Sequence, residues 1–293
     1  MRKSFIHWGL LFLLLLVGCR LIAATARPIQ HAQDPEIKRS VTSIASNRAV
    51  KRIVHYDFVH EEIPKAFDSL RIAFISDLHY KSLFREEGLN DLVRLLKEQN
   101  VDLLLMGGDY QEGCEYVRPL FDSLATVKPP LGIVAVLGNN DYERCYDEIV
   151  NVMRANQIRL LEHQVDTLYK DGQRMMIAGI RNPFDLSKNG HSPTLSLSQS
   201  DFVIMLVHTP DYAEDVSIDH TDLVLAGHTH GGQIRLFGVA PALNSRYGER
   251  FLSGLAMNKH GIPVIVTNGI GTSRINKRIG APAEIVLITL HCK

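Results

Sequence analysis

Five short apolar runs, each ending in an oxygen or nitrogen donor, constrain this chain more than any other feature of its sequence. Arg71 to Ser76 leads into Asp77, Leu78 and His79; Leu103 to Gly108 into Asp109; Ile133 to Gly138 into Asn139; and Phe202 to Val207 into His208. The fifth, Leu223 to Ala226, leads into Gly227, His228, Thr229 and His230, followed by Gly231, Gly232 and Gln233. Continuous apolar runs this short fit strands buried on both faces. Where helices feed such sheets, functional groups gather outside the carboxyl ends of the strands. The steps from His79 to Asp109 and from Asp109 to Asn139 are 30 residues each, the length of a strand, a crossover helix and the next strand. One Asp or Asn after a strand is an ordinary turn former. Five donor-bearing strand ends in one chain point to a shared site.

The fifth end defines the chemistry. Side chains two apart in extended chain point the same way, so His228 and His230 can face one small volume. The glycines around them remove Cβ atoms that would crowd a ligand. Taken alone, the pair also suits a turn with two surface histidines; the other strand ends favour a metal site. Imidazole, carboxylate and amide oxygen together favour Mn, Fe, Zn, Co, Ni or Mg over an all-oxygen calcium site, and the lack of thiolates argues against iron–sulfur.

The order DLH, GGD, LGNND, a histidine after a strand, then GHTHGGQ resembles the calcineurin-like metallophosphoesterases, from about Ile53 to the C-terminus. The later Gly-Ile-Gly-Thr-Ser loop and the terminal strand at Glu284 to Leu290 resemble the membrane-anchored bacterial branch, which includes hydrolases of UDP-2,3-diacylglucosamine. The resemblance implies an α/β fold, a two-sheet αββα sandwich. It also implies a pair of divalent metal ions: Asp77, His79 and His230 would hold one, Asn139, His208 and His228 the other, and Asp109 would bridge them. Phosphate ester hydrolysis needs a nucleophile at neutral pH and a clamp for phosphoryl charge, and two divalent ions about 4 Å apart can supply both.

The chain departs from the family at one place. Relatives usually carry His after the ligand Asn, a residue thought to protonate the leaving oxygen; here it is Asn140. A carboxamide cannot deliver a proton at neutral pH, and general acid catalysis is typically worth about 10²- to 10⁴-fold. The expected substrate therefore has a leaving group that needs little protonation, such as a nucleoside phosphate or an aryl phosphate. Tyr110, Tyr142 and His163 are the candidate substitute acids, with packing or surface roles as the alternative.

The N-terminus adds a location. Arg2 and Lys3 precede an apolar run, Gly9 to Gly18, that ends in LVGC. A basic start, a short apolar region and a small residue before the cut resemble a secretory signal. The ending resembles a lipobox that would leave Cys19 lipidated; the alternative is an uncleaved single-span membrane anchor. Residues 1–19 are thus read as signal or anchor, 20–52 as an aperiodic tether, and 53–293 as the phosphoesterase domain. Location is expected to be at the membrane, either exported and lipid-anchored or on an inner-membrane span.

Within the domain, Ile53 to Val59 is read as an edge strand. Helices are predicted around Leu89 to Leu96, Tyr116 to Val127 and Tyr142 to Asn156. Asp171-Gly172 marks a hairpin that begins the second sheet. Residues 181–200 are read as a loop that could cover the site. Asn268, Gly269, Gly271 and Arg274 follow a strand, and glycine-freed N–H groups there are expected to meet a substrate anion. The other late charges, Arg235, Arg246, Arg250, Lys259, Lys277 and Arg278, read as solvated surface. Acylation of Cys19 would leave Cys114, Cys145 and Cys292, an odd number that excludes a full disulfide framework; whether Cys114 and Cys145 pair is left open.

Formal charge is +0 over 293 residues, which gives no basic groove for nucleic acid and weakens a nuclease reading. Two classes of function remain: hydrolysis of a phosphorylated small molecule or lipid at the membrane, or a binding or scaffold protein on the same fold. All seven ligand positions are filled, which favours the enzyme.

Overall fold

The computed structural model describes residues 35–45, 48–181, 191–241 and 243–293. The signal or anchor reading, Cys19 and most of the expected tether lie outside these residues. No helix among the described residues is long and apolar enough to cross a membrane.

Among the described residues, thirteen strands form two mixed sheets. The first contains β1 (Glu36–Ser43), β2 (Arg52–His60), β3 (Arg71–Ile75), β4 (Leu103–Met106), β5 (Ile133–Ala135), β6 (Arg159–Leu160) and β13 (Glu284–Cys292), in the order β1-β2-β13-β3-β4-β5-β6. The second contains β7 (Gln164–Lys170), β8 (Gln173–Gly179), β9 (Val203–Val207), β10 (Leu223–Ala226), β11 (Gly254–Met257) and β12 (Pro263–Val266), in the order β11-β12-β10-β9-β8-β7. Strands β3 to β6 run parallel, as do β8, β9, β10 and β12.

Burial on both faces explains the apolar runs. Ile72 and Phe74 of β3 point into the layer between the sheets, where they join Leu103, Leu105, Ile204, Leu206, Leu223 and Leu225. Their neighbours Ala73 and Ile75 point the other way, into a core shared with the helices α1 (Glu86–Glu98), α2 (Val117–Ala125) and α4 (Tyr146–Ala155). On the second sheet Met205, Val207, Val224 and Ala226 face outward. They are covered by Tyr212 and Ala213 of the short helix α5 (Tyr212–Asp215) and by Phe251. The expected two-sheet sandwich with helical outer layers is present, the second layer being made of short turns.

The hairpin forms at Asp171 and Gly172, with φ of 48° and 75°, and joins β7 to β8 at the edge of the second sheet. The helix expected from Tyr142 to Asn156 is instead two helices, α3 (Asn139–Glu143) and α4, interrupted where Cys145 takes φ 69°. Residues 36–43, expected as tether, form β1 and pair antiparallel with β2. Strand β2 therefore lies between β1 and β13 and is not an edge. The reason is visible in β1 itself: it is almost wholly exposed, so backbone pairing holds it and no apolar face announces it. Within the expected covering loop, 182–190 lie outside the described residues and Pro193–Ser196 form a 3-10 turn.

Candidate metal centre

The ligand candidates all sit at one pole, beyond the carboxyl ends of β3, β4 and β5 from one sheet and β9 and β10 from the other. Loops from neighbouring strands are tied to each other there. Asp77 N–H donates to Gly108 O at 2.9 Å, and His79 N–H to Asp109 O at 3.0 Å. The two sheets close on each other at Gly227, where a Cβ would fall 2.2 Å from Ser76 Oγ and 2.3 Å from Asp77 Oδ2. Similarly, a Cβ on Gly138 would fall 2.1 Å from Asp109 Oδ1. Asp77, His79, Asp109, His228 and His230 all have φ between 39° and 69°. Such backbone costs on the order of 1–3 kcal/mol per non-glycine residue and persists only where its surroundings enforce it.

The side chains converge. Asp109 Oδ2 lies 3.6 Å from His79 Nε2 and 3.4 Å from His208 Nε2, so it reaches one histidine from each expected set. His230 Nε2 lies 3.4 Å from Asp77 Oδ1, and His228 Nδ1 lies 3.2 Å from His208 Nε2. Potential ligand atoms of Asp77, His79 and His230 fall within 4.8 Å of one another, as do those of Asp77, Asp109 and His208. Asp77 thus belongs to both groupings, and Asp109 is the carboxylate whose single oxygen approaches both histidines. Asp77, His79, Asp109, His208 and His230 are buried, while Asn139, Asn140 and His228 are partly exposed and form the open lip.

The donors fit divalent cations. His79 Nε2 and Asn139 Oδ1 are buried without a hydrogen-bond partner, a state that costs about 1–3 kcal/mol per atom unless something accepts the lone pair. The far nitrogens of two rings are already engaged: His79 Nδ1 with Glu112 Oε1 at 2.6 Å and His208 Nδ1 with Gly107 O at 2.7 Å. That arrangement fixes ring orientation and leaves each Nε2 for a metal. The electrostatics of the ion-free site are set by the buried Asp109 charge. Burial would raise the Asp109 carboxyl, but His208, then His79 and the Asn140 N–H, hold it well below the usual range. Burial opposes charge on His208, yet Asp109 pushes it up to about 10. Burial, with His208 adding to it, pushes His228 down to about 3. Burial, His79 and Arg278 push His230 well down. His228 and His230 are therefore uncharged imidazoles at neutral pH.

Asn140 is at the lip, where it donates to Asp109, N–H to Oδ1 at 3.0 Å and Nδ2 to Oδ2 at 2.8 Å, and accepts at Oδ1 from Asn139 Nδ2 at 3.3 Å. None of the candidate substitute acids stands in its place. Tyr110 is a core residue with its hydroxyl donating toward the Met106 and Val136 carbonyls. Tyr142 donates to Glu162, and the His163 ring meets His191 O.

The segment at Asn268 differs from its expected role. Asn268 N–H donates to Glu284 Oε1, Gly269 N–H to Thr267 Oγ1, Ile270 and Gly271 N–H to Asp77 O, Thr272 N–H to Ser82 Oγ, and Ser273 N–H to Gln233 Oε1. These groups are spent on protein partners, so the segment buttresses the Asp77 loop and offers no ready anion cradle. Arg274 is exposed at the rim.

Two supporting features escape sequence reasoning, and a third, the pairing of Cys114 with Cys145, was left open by it. Arg278, expected on the surface, is part-buried and donates to the carbonyls of Asn268, Gly271, Ala281 and His230. Buried Asp141 accepts from the N–H groups of Asp109, Gly138 and Tyr110. Cys114 and Cys145 form a disulfide, with Cα atoms 5.3 Å apart, bracing the loops that carry Asp109 with Glu112 and Asn139 with Asn140. Only the acids Glu112, three residues beyond GGD, and Asp141, which closes LGNND, hinted at such partners. A cavity of about 580 Å³ adjoins this pole, lined in part by Arg48, Lys51, Leu83, Phe84, Ile270 and Arg278.

Comparison with known proteins places the sequence in a family. Residues 70–232 match the calcineurin-like phosphoesterase family. An uncharacterized metallophosphoesterase of Bacillus subtilis, YkuE, is 30% identical over 78% of this chain and 81% of its own length. Another, from Aquifex aeolicus, is 27% identical over 83% of this chain and 92% of its own. Among solved structures, a 5'-nucleotidase precursor from Thermus thermophilus aligns with a TM-score of 0.46 at 13% identity, over 75% of this chain and 54% of that one.

Proposed function

Because the chain belongs to the calcineurin-like phosphoesterase family, we propose that it is a metal-dependent hydrolase of a phosphodiester or pyrophosphate bond, acting at the membrane on a lipid or envelope precursor. The observation that carries the reading is the convergence of Asp77, His79, Asp109, His208 and His230 on one pole, with His228 against His208 and with buried, unpartnered ligand atoms on His79 and Asn139. Asp77, His79 and His230 would hold one divalent ion, Asn139, His208 and His228 a second, and Asp109 would serve both. Such ions supply a nucleophile at neutral pH and neutralise phosphoryl charge.

The chain's own residues do the rest. Glu112 and the Gly107 carbonyl set the ring nitrogens of His79 and His208. Asn140 steadies Asp109 and carries no proton that could be given to a leaving group, so a weakly basic leaving group, as in a pyrophosphate, suits this site. The neighbouring cavity is lined by apolar, basic and acidic side chains, Arg48 being paired with Asp91 there, so a phosphorylated amphiphile, UDP-2,3-diacylglucosamine-type substrates included, is proposed from the family resemblance and not from that lining. The Cys114–Cys145 disulfide supports an oxidising, exported location, and on that side of the membrane an envelope phosphodiester is the better substrate.

Cleavage of bis(p-nitrophenyl) phosphate tests the reading. Activity should require an added divalent ion, vanish with chelator, and vanish in Asp109→Ala. A protein that binds no added divalent ion, or that binds ions and hydrolyses no ester, would return the chain to a scaffold role.

A further inference from the structure

Exposed large apolar side chains rim the metal pole. Leu236, Phe237, Val239, Ile275 and Ile279 are 54%, 105%, 64%, 57% and 39% exposed. Leu236 and Val239 exchange backbone hydrogen bonds of 2.9 and 3.0 Å, closing a hairpin tip. At that tip Phe237 and Gly238 have φ of 52° and 86°. An aromatic residue is disfavoured at such φ, yet here the turn holds Phe237 fully in solvent. Arg235 stiffens the turn by donating to Gly238 O at 2.9 Å.

This rim is continuous with the ligand loop. Gln233 N–H donates to His230 O at 2.9 Å. The Gln233 side chain clamps the second apolar segment, donating to Ser273 O at 3.0 Å and Ile275 O at 2.9 Å. Ile279 N–H donates to Gln233 O, and Arg235 N–H to Ile279 O. Arg274 and Lys277 stand exposed on either side of Ile275.

We propose that this rim docks on an anionic lipid bilayer. Leu236, Phe237 and Ile275 enter the acyl boundary, Arg274 and Lys277 meet headgroup phosphates, and the metal pole is brought against phosphoesters lying in that surface. A protein partner would need a pocket matched to a protruding phenyl ring. A bilayer needs none, and cations set beside apolar side chains are what the headgroup boundary accommodates. The docking stands on the rim alone; its link to catalysis rests on the phosphoesterase reading.

The chain has one tryptophan, Trp8. Trp8→Phe combined with Phe237→Trp moves that reporter to the tip. On vesicles containing phosphatidylglycerol, its emission should shift to shorter wavelength and be quenched by lipids brominated along the acyl chain. Water-like, unquenched emission from vesicle-bound protein overturns the proposal, as it would if a protein were the true partner. In a second arm, Leu236→Ser with Phe237→Ser should leave turnover of a soluble aryl phosphodiester unchanged. Turnover of a phosphodiester lipid embedded in vesicles should fall about ten-fold or more, given the apolar area withdrawn from the boundary. Unchanged turnover of the embedded lipid, or equal loss on both substrates, overturns it. If the parent protein cleaves neither substrate, the phosphoesterase reading fails while the fluorescence still decides docking.

Discussion

Glu112 holds His79 by a contact of 2.6 Å between its Oε1 and the ring Nδ1. This bond keeps the proton on Nδ1 and leaves buried Nε2 as the free donor atom. Removing an outer partner of a metal-ligating histidine typically costs about 10- to 100-fold in metal affinity. Glu112→Ala should weaken Mn or Zn binding by that factor in calorimetric titration, and Glu112→Gln, which can still accept from Nδ1, should recover most of it.

Arg278 should matter to stability as well as to the site. Its guanidinium spans four carbonyls drawn from three loops and also lies 3.3 Å from His230 Nδ1. Burial lowers its pKa to about 10, still charged at neutral pH. Arg278→Met leaves those carbonyls short of donors, so urea unfolding should show a loss of about 1–3 kcal/mol. Arg278→Lys keeps the charge but loses the planar fork, and should recover less than half of that loss. Full recovery by lysine would mean that charge alone is what the loops need.

How much of this was legible follows from what makes a residue visible in one dimension. Strands β3, β4, β5, β9 and β10 are buried on both faces, so each reads as an unbroken apolar run, with a site donor one to four residues past its end. Asp171-Gly172 was readable because positive φ at both positions narrows the choice of residue. Strand β1 was not, because solvent covers both its faces and only backbone pairing holds it. Arg278 looked like any surface cation, since its partners are carbonyls, which are the same in every residue. The pairing of Cys114 with Cys145, 31 residues apart, depends on how two loops turn at the pole. The glycines after β12 were correctly marked as special, but the donors they expose face the Asp77 loop.

At the opposite pole, His60, Glu62 and Asp222 predict a pH dependence of stability. Burial, reinforced by Glu62 and opposed by the Val203 N–H, pushes the Asp222 carboxyl up to about 8, and burial also raises Glu62. Glu61, Asp201, His220 and, at 3.9 Å from Asp222, His60 are the other titratable groups around this pair. A carboxyl with a raised folded-state pKa binds a proton more tightly when folded. Its contribution is therefore complete below the unfolded value near 4 and is lost as pH rises toward 8. Asp222→Asn keeps an acceptor for Val203 and cannot ionise. Thermal unfolding of the parent should show a midpoint that falls between pH 5 and 8, and the variant should flatten that fall. Equal slopes would place the titration elsewhere.

Asn140 offers the sharpest test of how the site treats its leaving group. Its side chain donates to Asp109 at 2.8 Å and has no proton to give to a departing oxygen. Rates in the parent should therefore fall steeply as the leaving group becomes more basic, from nitrophenyl to alkyl esters. Asn140→His places an imidazole at the lip, where the partly exposed position leaves room for substrate. The Asp109 contact from the residue 140 backbone N–H, 3.0 Å here, does not depend on the side chain, so metal content should be unchanged. If protonation is what the parent lacks, alkyl ester turnover should rise by up to about 10²- to 10⁴-fold while nitrophenyl turnover barely moves, and the leaving-group dependence should become shallow. A dependence equally steep in both proteins would show that the ions alone stabilise the departing oxygen, and that the natural substrate carries a leaving group stable enough to need no acid.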